Sequence, residues 1–180
     1  MKATGIVRRI DDLGRVVIPK EIRRTMRIRE GDPLEIFTET NGEVIFKKYS
    51  PVGEISSFAA GYADVMSRAC GIPVIICDRD HVVSSGGLPK AELRDHRLSP
   101  ALEDLMESRQ PYIAPKGGAI LAPIEGSERR ITVCAPIVTN GDVIGAVCLL
   151  QSDEKSPPPT EGDIRLVQVA ASFLGKQMDD

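Results

Sequence analysis

Residues 1–50 offer four short β-prone stretches and one helical stretch of about two turns, too little to bury a core of their own. Thr4 to Ile10 favours a strand, Asp11-Asp12-Leu13-Gly14 makes a turn, and Arg15 to Ile18 is a second strand that ends at Pro19. Pro19 suits a first helical position. Ile22 and Met26 then share one face, with Arg23, Arg24 and Arg27 largely on the others, until Gly31-Asp32 ends the helix. Asn41-Gly42, between Leu34 to Glu39 and Glu43 to Tyr49, is the strongest hairpin signal in the chain, since a type I′ turn needs positive φ at both positions. The order is ββαββ. A segment this small does not offset the entropy of ordering its backbone, and it has no disulfide or metal motif to help. A second copy is the remaining source of buried surface, so the segment is expected to be a dimer.

Charge says what that dimer meets. The chain has 180 residues and a net charge of -3, so it is not uniformly basic. Residues 1–50 hold 11 Lys+Arg against 8 Asp+Glu, whereas residues 51–180 hold 12 against 18. In the first thirty residues Lys2, Arg8, Arg9, Arg15, Lys20, Arg23, Arg24, Arg27 and Arg29 face only Asp11, Asp12, Glu21 and Glu30. An anionic ligand belongs there. A two-fold dimer presents the arginines twice, which suits two stretches of duplex backbone.

The run TGIVRRIDDLGRVVIPKEIRRTMRIREGDPLEIF resembles the AbrB-type transition-state regulators. The resemblance implies a dimeric swapped-hairpin β-barrel that contacts double-stranded DNA through arginines of the first strand, the following loop and the short helix. The matching positions are Arg8, Arg15, Arg23 and Arg24, with Arg9 beside them. A guanidinium is permanently charged and can fork onto phosphate oxygens or reach guanine edges. On residues alone, the same charge also reads as a solvated basic face. There is no long recognition helix, so the module is expected to read duplex shape and flexibility more than a strict base sequence. Over its length the chain is similar to members that join this module to a GAF-like domain. That implies an activator and repressor of late, forespore-type sporulation genes.

The expected fold therefore has two domains: residues 1–50 as an all-β-dominated swapped-hairpin barrel, 51–55 as linker and start of a helix, and 56–180 as an α/β GAF-like sensor and oligomerisation domain. Ser50-Pro51-Val52-Gly53 leads into a helix from Glu54 to Ala69, whose Ile55, Phe58, Tyr62, Val65 and Ala69 form an apolar seam. Pro157-Pro158-Pro159 blocks continuation of the sheet. Thr160 and Asp163 make a capping box, and Ile164, Val167, Ala171, Leu174 and Met178 repeat the seam. Each helix either covers a face of its own sheet or joins an intersubunit bundle, which would make a homotetramer. Pro73 to Cys77 and His81 to Ser85 read as strands around Asp78-Arg79-Asp80, and Lys90 to Arg109 as mostly helical despite Ser99-Pro100. Arg130 to Val138 and Val143 to Leu150 form a hairpin about Asn140-Gly141, and APIVTNGDVIGAVCLL resembles the closing hairpin of GAF domains.

No constellation names a ligand. The glycine pairs Gly86-Gly87 and Gly117-Gly118 read as turns before they read as a ligand loop. Asp78-Arg79-Asp80-His81 reads as a charged turn and not a metal site, because neighbouring strand residues alternate faces. Cys70, Cys77, Cys134 and Cys148 lie in apolar surroundings and read as buried thiols. No catalytic residue, metal or cofactor is expected. The partners are double-stranded DNA, the chain itself and an unidentified small-molecule effector, with no membrane; the place is the cytoplasm, at the nucleoid. Two other readings remain. A GAF-type thiol reductase would use the cysteines, and an antitoxin would share the barrel but carry a disordered tail that wraps its toxin.

Overall fold

A computed structural model describes residues 5–93, 96–151 and 157–178. The chain divides into two compact units, Met1–Tyr49 and Ser50–Asp180. Lys2 of the basic cluster and Thr4, the start of the first expected strand, lie outside the described residues.

The first unit contains α1 (Lys20–Thr25), β1 (Leu34–Thr38) and β2 (Val44–Lys48). The hairpin pairs Leu34 with Lys48 through to Thr38 with Val44. Its turn differs from expectation. Glu39 N–H donates to the Glu43 carbonyl at 3.0 Å, enclosing Thr40, Asn41 and Gly42, and of the Asn-Gly pair only Gly42 has positive φ, at 87°. This is a three-residue loop with glycine in the left-handed position, not a type I′ turn. Asn41 serves by its side chain instead, accepting the Glu43 N–H at 3.0 Å.

Helix α1 is also shorter than expected. Pro19 is its N-cap and not its first residue, and the helix stops at Thr25, well before Gly31. Arg27 takes φ of 51°, and Ile28 N–H reaches back to the Arg23 carbonyl at 2.8 Å. That bond closes the helix by the motif that glycine usually serves. Lys48 then ties the helix exit to the hairpin. Its ammonium donates to the Arg27 carbonyl at 3.0 Å and pairs with Asp32 at 3.3 Å, a carboxylate whose side chain is 3% exposed.

The two strands expected before Pro19 are absent as a ladder, which corrects the ββαββ order for the single chain. The arms on either side of the first turn share one backbone cross-link, from Asp11 N–H to the Arg15 carbonyl at 3.0 Å. A strand exists only against a partner strand, and these arms have none among the described residues of their own chain. Their apolar side chains lie open: Val7 is 89% exposed, Ile10 71%, Leu13 69% and Val17 71%. Among the described residues, Pro19 alone is buried before Val52.

The second unit runs α2 (Pro51–Glu54), α3 (Ser56–Cys70), β3 (Val74–Cys77), β4 (Val82–Gly86), α4 (Lys90–Leu93), α5 (Pro100–Glu107), β5 (Tyr112–Ile113), β6 (Arg130–Thr139), β7 (Asp142–Gln151) and α6 (Glu161–Gln177). Its five strands form an antiparallel sheet in the order β4-β3-β7-β6-β5. Both faces are covered, so β3 is buried at every position. On one face Val74, Ile76, Val133 and Leu149 meet Ala59 and Ala63 of α3 and Val167 and Leu174 of α6. On the other, Ile75, Cys77, Cys134 and Cys148 meet Leu93, Leu102 and Met106. The β6–β7 turn agrees with expectation, with Asn140 at φ 48° and Gly141 at 84°. The helical reading from Lys90 to Arg109 needs correction. Of the residues between α4 and α5, positions 94–95 lie outside the described residues, Arg97 bridges His81, Leu98 bridges Ile124, and Ser99 caps α5.

The helix seams resolve differently. On α6, Val167, Ala171 and Leu174 are buried against the sheet, with Ile164 and Met178 packed on the same cluster. On α3 the sheet-facing residues are Ala59, Ala63 and Met66, while Phe58 is 46% and Val65 62% exposed. The expected α3 seam is therefore split: Ile55 and Tyr62 pack against the sheet core, while Phe58, Val65 and Ala69 lie on the outer side. Phe58 and Tyr62 stack at 5.9 Å and both meet Phe173 of α6, at 6.1 and 5.9 Å. Small residues bring α3 down onto β4: a Cβ at Gly86 would land on the Ala63 carbonyl, so Gly86 is a packing residue and not a turn. Gly86→Ala should cost roughly 1–3 kcal/mol by overpacking. Gly61→Ala, where the added methyl meets open space within α3, should be neutral or stabilise by about 0.5–1 kcal/mol. Urea unfolding midpoints of the two variants check this, and equal shifts would contradict the close α3–β4 contact.

Candidate nucleic-acid interface

The basic cluster is organised by one carboxylate. Asp11 Oδ1 accepts the N–H of Leu13 at 3.0 Å and of Arg15 at 2.8 Å, and Oδ2 accepts Arg15 Nε at 2.8 Å. Gly14, at φ 75°, completes the reversal by donating its N–H to the Asp11 carbonyl at 3.0 Å. The Arg15 N–H first, and then its guanidinium, hold the Asp11 carboxyl below its ordinary range. Arg15 is thus aimed by its own loop, yet its side chain remains 69% exposed, leaving the outer guanidinium nitrogens in solvent.

The other candidates fall into two places. Arg8 and Arg9 lie exposed on the arm that enters this turn. Arg23 and Arg24 lie exposed on the last turn of α1, which the Ile28-to-Arg23 bond keeps short. Among the described residues, no carboxylate pairs with any of these four guanidinium groups. The single chain therefore joins Arg8, Arg9 and Arg15 around one turn and sets Arg23 and Arg24 on a separate element. Forked, permanently charged donors standing free of internal partners are suited to phosphate oxygens. Sequence reasoning placed Asp11 in the turn but missed its hold on Arg15. The signal was present in DDLGR: an aspartate, a glycine three residues on, and an arginine at the fourth.

In the second unit, among the described residues, no group of three His, Cys, Asp or Glu could hold a metal ion. Cys77, Cys134 and Cys148 are buried and Cys70 is half-buried. Hydrogen bonding to Cys134 and Cys77, and burial with it, push the Cys148 thiol well above its ordinary value. Burial first, then the Asp163 carboxylate, push Cys70 up to about 11. No helix among the described residues is long and apolar enough to cross a membrane.

Comparison with known proteins accounts for both units. Residues 54–179 match the family described as stage V sporulation protein T C-terminal, transcription factor. Residues 7–54 match the family described as antidote-toxin recognition MazE, bacterial antitoxin. Stage V sporulation protein T of Bacillus subtilis (strain 168) is 49% identical over 183 residues, covering 99% of each chain. The transition state regulatory protein AbrB of the same organism is 53% identical over 62 residues, 31% of this chain and 64% of that one. Among solved structures, the GAF domain from an Acinetobacter phosphoenolpyruvate-protein phosphotransferase superposes with a TM-score of 0.54 at 12% identity, covering 73% of this chain and 84% of that one. That last likeness is one of fold alone. An AbrB-like module before a GAF-like unit is thus the architecture, and the chain belongs to the family of stage V sporulation protein T.

Proposed function

We propose that the chain is a DNA-binding transcription regulator of late, forespore-type sporulation genes, activating some and repressing others. It acts in the cytoplasm at the nucleoid. Arg8, Arg9, Arg15, Arg23 and Arg24 carry the DNA contact. The observation that supports this most is their exposure in a unit that is 53% identical to AbrB in the matched region, with no carboxylate paired to four of the five among the described residues. The domains divide as residues 1–50 for DNA, 51–55 as linker and helix start, and 56–180 for oligomerisation.

The DNA-binding form is a dimer. A unit that leaves Val7, Ile10, Leu13, Val17 and Ile36 between 60% and 89% exposed cannot hold its shape in water alone, and pairing the two arms with a second copy supplies both ladder and core. The second unit extends the dimer to a tetramer. Phe58, Val65, Val169 and Phe173, each at least 40% exposed, form an outer apolar stripe on α3 and α6 of the kind that subunit contacts cover. Two linked dimers then engage separated DNA stretches with avidity set by their spacing.

The antitoxin reading has one observation behind it, the MazE-type match over residues 7–54. Beyond residue 54 the chain folds into a packed five-stranded sheet with a core on each face, unlike a disordered tail that orders on a toxin. The thiol-reductase reading needs a thiolate, and the raised Cys70 and Cys148 thiols oppose it. We read the chain as a regulator and not an enzyme.

Binding to a promoter-sized, AT-rich duplex should weaken steeply with salt. Each phosphate that Arg8→Ala leaves unneutralised should flatten the log-log slope by about 0.9, and so by roughly twice that in a symmetric dimer. Fluorescence anisotropy across a salt series checks this; an unchanged slope removes Arg8 from the interface. Deleting residues 51–180 should leave dimers by light scattering and reduce affinity for long duplexes by about 10–100-fold. Undiminished affinity would show that the second unit adds no avidity.

A further inference from the structure

The second unit carries a cleft of about 430 Å³, within the range of roughly 300–1,000 Å³ that small-ligand sites occupy, and the DNA-binding reading makes no use of it. Ser50, Ser56, Asp78, His81 and Val83 line it, with Gly53 beneath. Asp78 is its hub. Oδ1 accepts the N–H groups of Asp80 at 2.8 Å and His81 at 2.7 Å, which closes the β3–β4 turn. Oδ2 accepts the Ser50 hydroxyl at 2.8 Å, while that same hydroxyl oxygen accepts the Gly53 N–H at 3.0 Å and caps α2. A carboxylate oxygen takes two donors, so Oδ2 keeps capacity for one more. Among the described residues, the Ser56 hydroxyl and the His81 ring have no protein partner.

The chemistry of that lining selects an occupant. One carboxylate with an unused lone pair calls for an ammonium, since a charge-assisted bond outweighs a neutral one by about twofold. Two hydroxyls and an imidazole, all able to donate or accept, call for several ligand hydroxyls. Half-buried Val83 offers a small apolar wall. The excess of acidic over basic residues after position 50 favours a cation over an anion. We infer that this cleft binds a small hydroxylated amine of the amino-sugar class, with its ammonium on Asp78 and its hydroxyls on Ser50, Ser56 and His81.

Its place in the chain gives the site a consequence. Ser50 is the first residue of the second unit, directly after the hairpin of the DNA-binding module. An ammonium on the free side of Asp78 Oδ2 sits beside the Ser50 hydroxyl, so occupancy perturbs the hydrogen bond made by the residue at which the second unit begins. A ligand that binds the joined and released states differently must shift DNA affinity, and DNA must shift ligand affinity by the same factor. That effect rests on the DNA-binding reading; binding in the cleft does not.

Isothermal titration of the full-length protein with glucosamine, N-acetylglucosamine and glucose tests the site. Glucosamine should bind, and the two neutral sugars should bind about tenfold more weakly or not at all. Ser56→Tyr, which fills the cleft from the first turn of α3, should abolish binding. His81→Ala, which adds no bulk and should leave the fold intact, should weaken it roughly fivefold, the worth of one hydrogen bond. No heat with glucosamine, equal affinity for all three sugars, or unchanged binding in both variants overturns the site. Saturating glucosamine should also change the affinity of the wild-type protein for duplex DNA and leave that of Ser50→Ala unchanged. Intact sugar binding with unaltered DNA affinity in the wild type overturns the coupling while leaving the DNA-binding reading untouched.

Discussion

The first 49 residues have no interior of their own, and most of the molecule's design is a consequence of that. Short strands joined by tight turns bury side chains only when a second layer covers them, and one chain supplies a single hairpin and a six-residue helix. The module's local shape is held by polar groups: Lys48 bridges the Arg27 carbonyl and Asp32, and Asp11 gathers three donors around the first turn. These contacts set the positions of the arms without stabilising a fold by themselves. The proposed dimer answers that deficit. It would also place each arginine twice about a two-fold axis, so assembly and the proposed DNA contact share one cause.

The second unit is built the opposite way. It has a core on each face of its sheet, and its helices approach the sheet so closely that a Cβ at Gly86 would clash with the Ala63 carbonyl of α3 and one at Gly175 of α6 with the Val138 carbonyl. Such close backbone approaches leave little room for the helices to shift on the sheet. Its buried thiols belong to that packing: Cys77, Cys134 and Cys148 fill the face toward α5 as small hydrophobes, and raised Cys148 is poorly placed to react.

How much the sequence disclosed depended on how local each cause was. The Asn140-Gly141 turn and the Thr160–Asp163 capping box were legible, because a few consecutive residues determine them. The Asn41-Gly42 signal placed a hairpin correctly and its turn type wrongly, since loop length there is set by the pairing of Thr38 with Val44. The end of α1 was hidden because Arg27 takes a left-handed conformation that composition assigns to glycine. The α3 seam misled for a different reason. Alanines face the sheet where the helix must come close, so Phe58 and Val65 lie outward and periodicity centres the seam between the inner and outer faces. Arg8, Arg9, Arg15, Arg23 and Arg24 stood out by charge, whereas the aiming of Arg15 by Asp11 is a matter of hydrogen-bond geometry. The cleft was not legible at all: Ser50, Ser56 and Asp78 converge only once α3 lies on the sheet.

That convergence bears on how a regulator of this design can respond to anything. An arginine cluster in open solvent has no internal switch, since its charge is fixed at all physiological pH values and its guanidinium groups have few internal partners to lose. On the proposed coupling, control acts where the second unit begins and not on the arginines themselves. Ser50, its first residue, uses one hydroxyl for both a helix cap and Asp78. Networks of this size contribute on the order of 1–3 kcal/mol, which is also the usual range of coupling between two sites. A larger, buried network would be too stable for a small molecule to bias, and one without Asp78 would offer an ammonium no carboxylate.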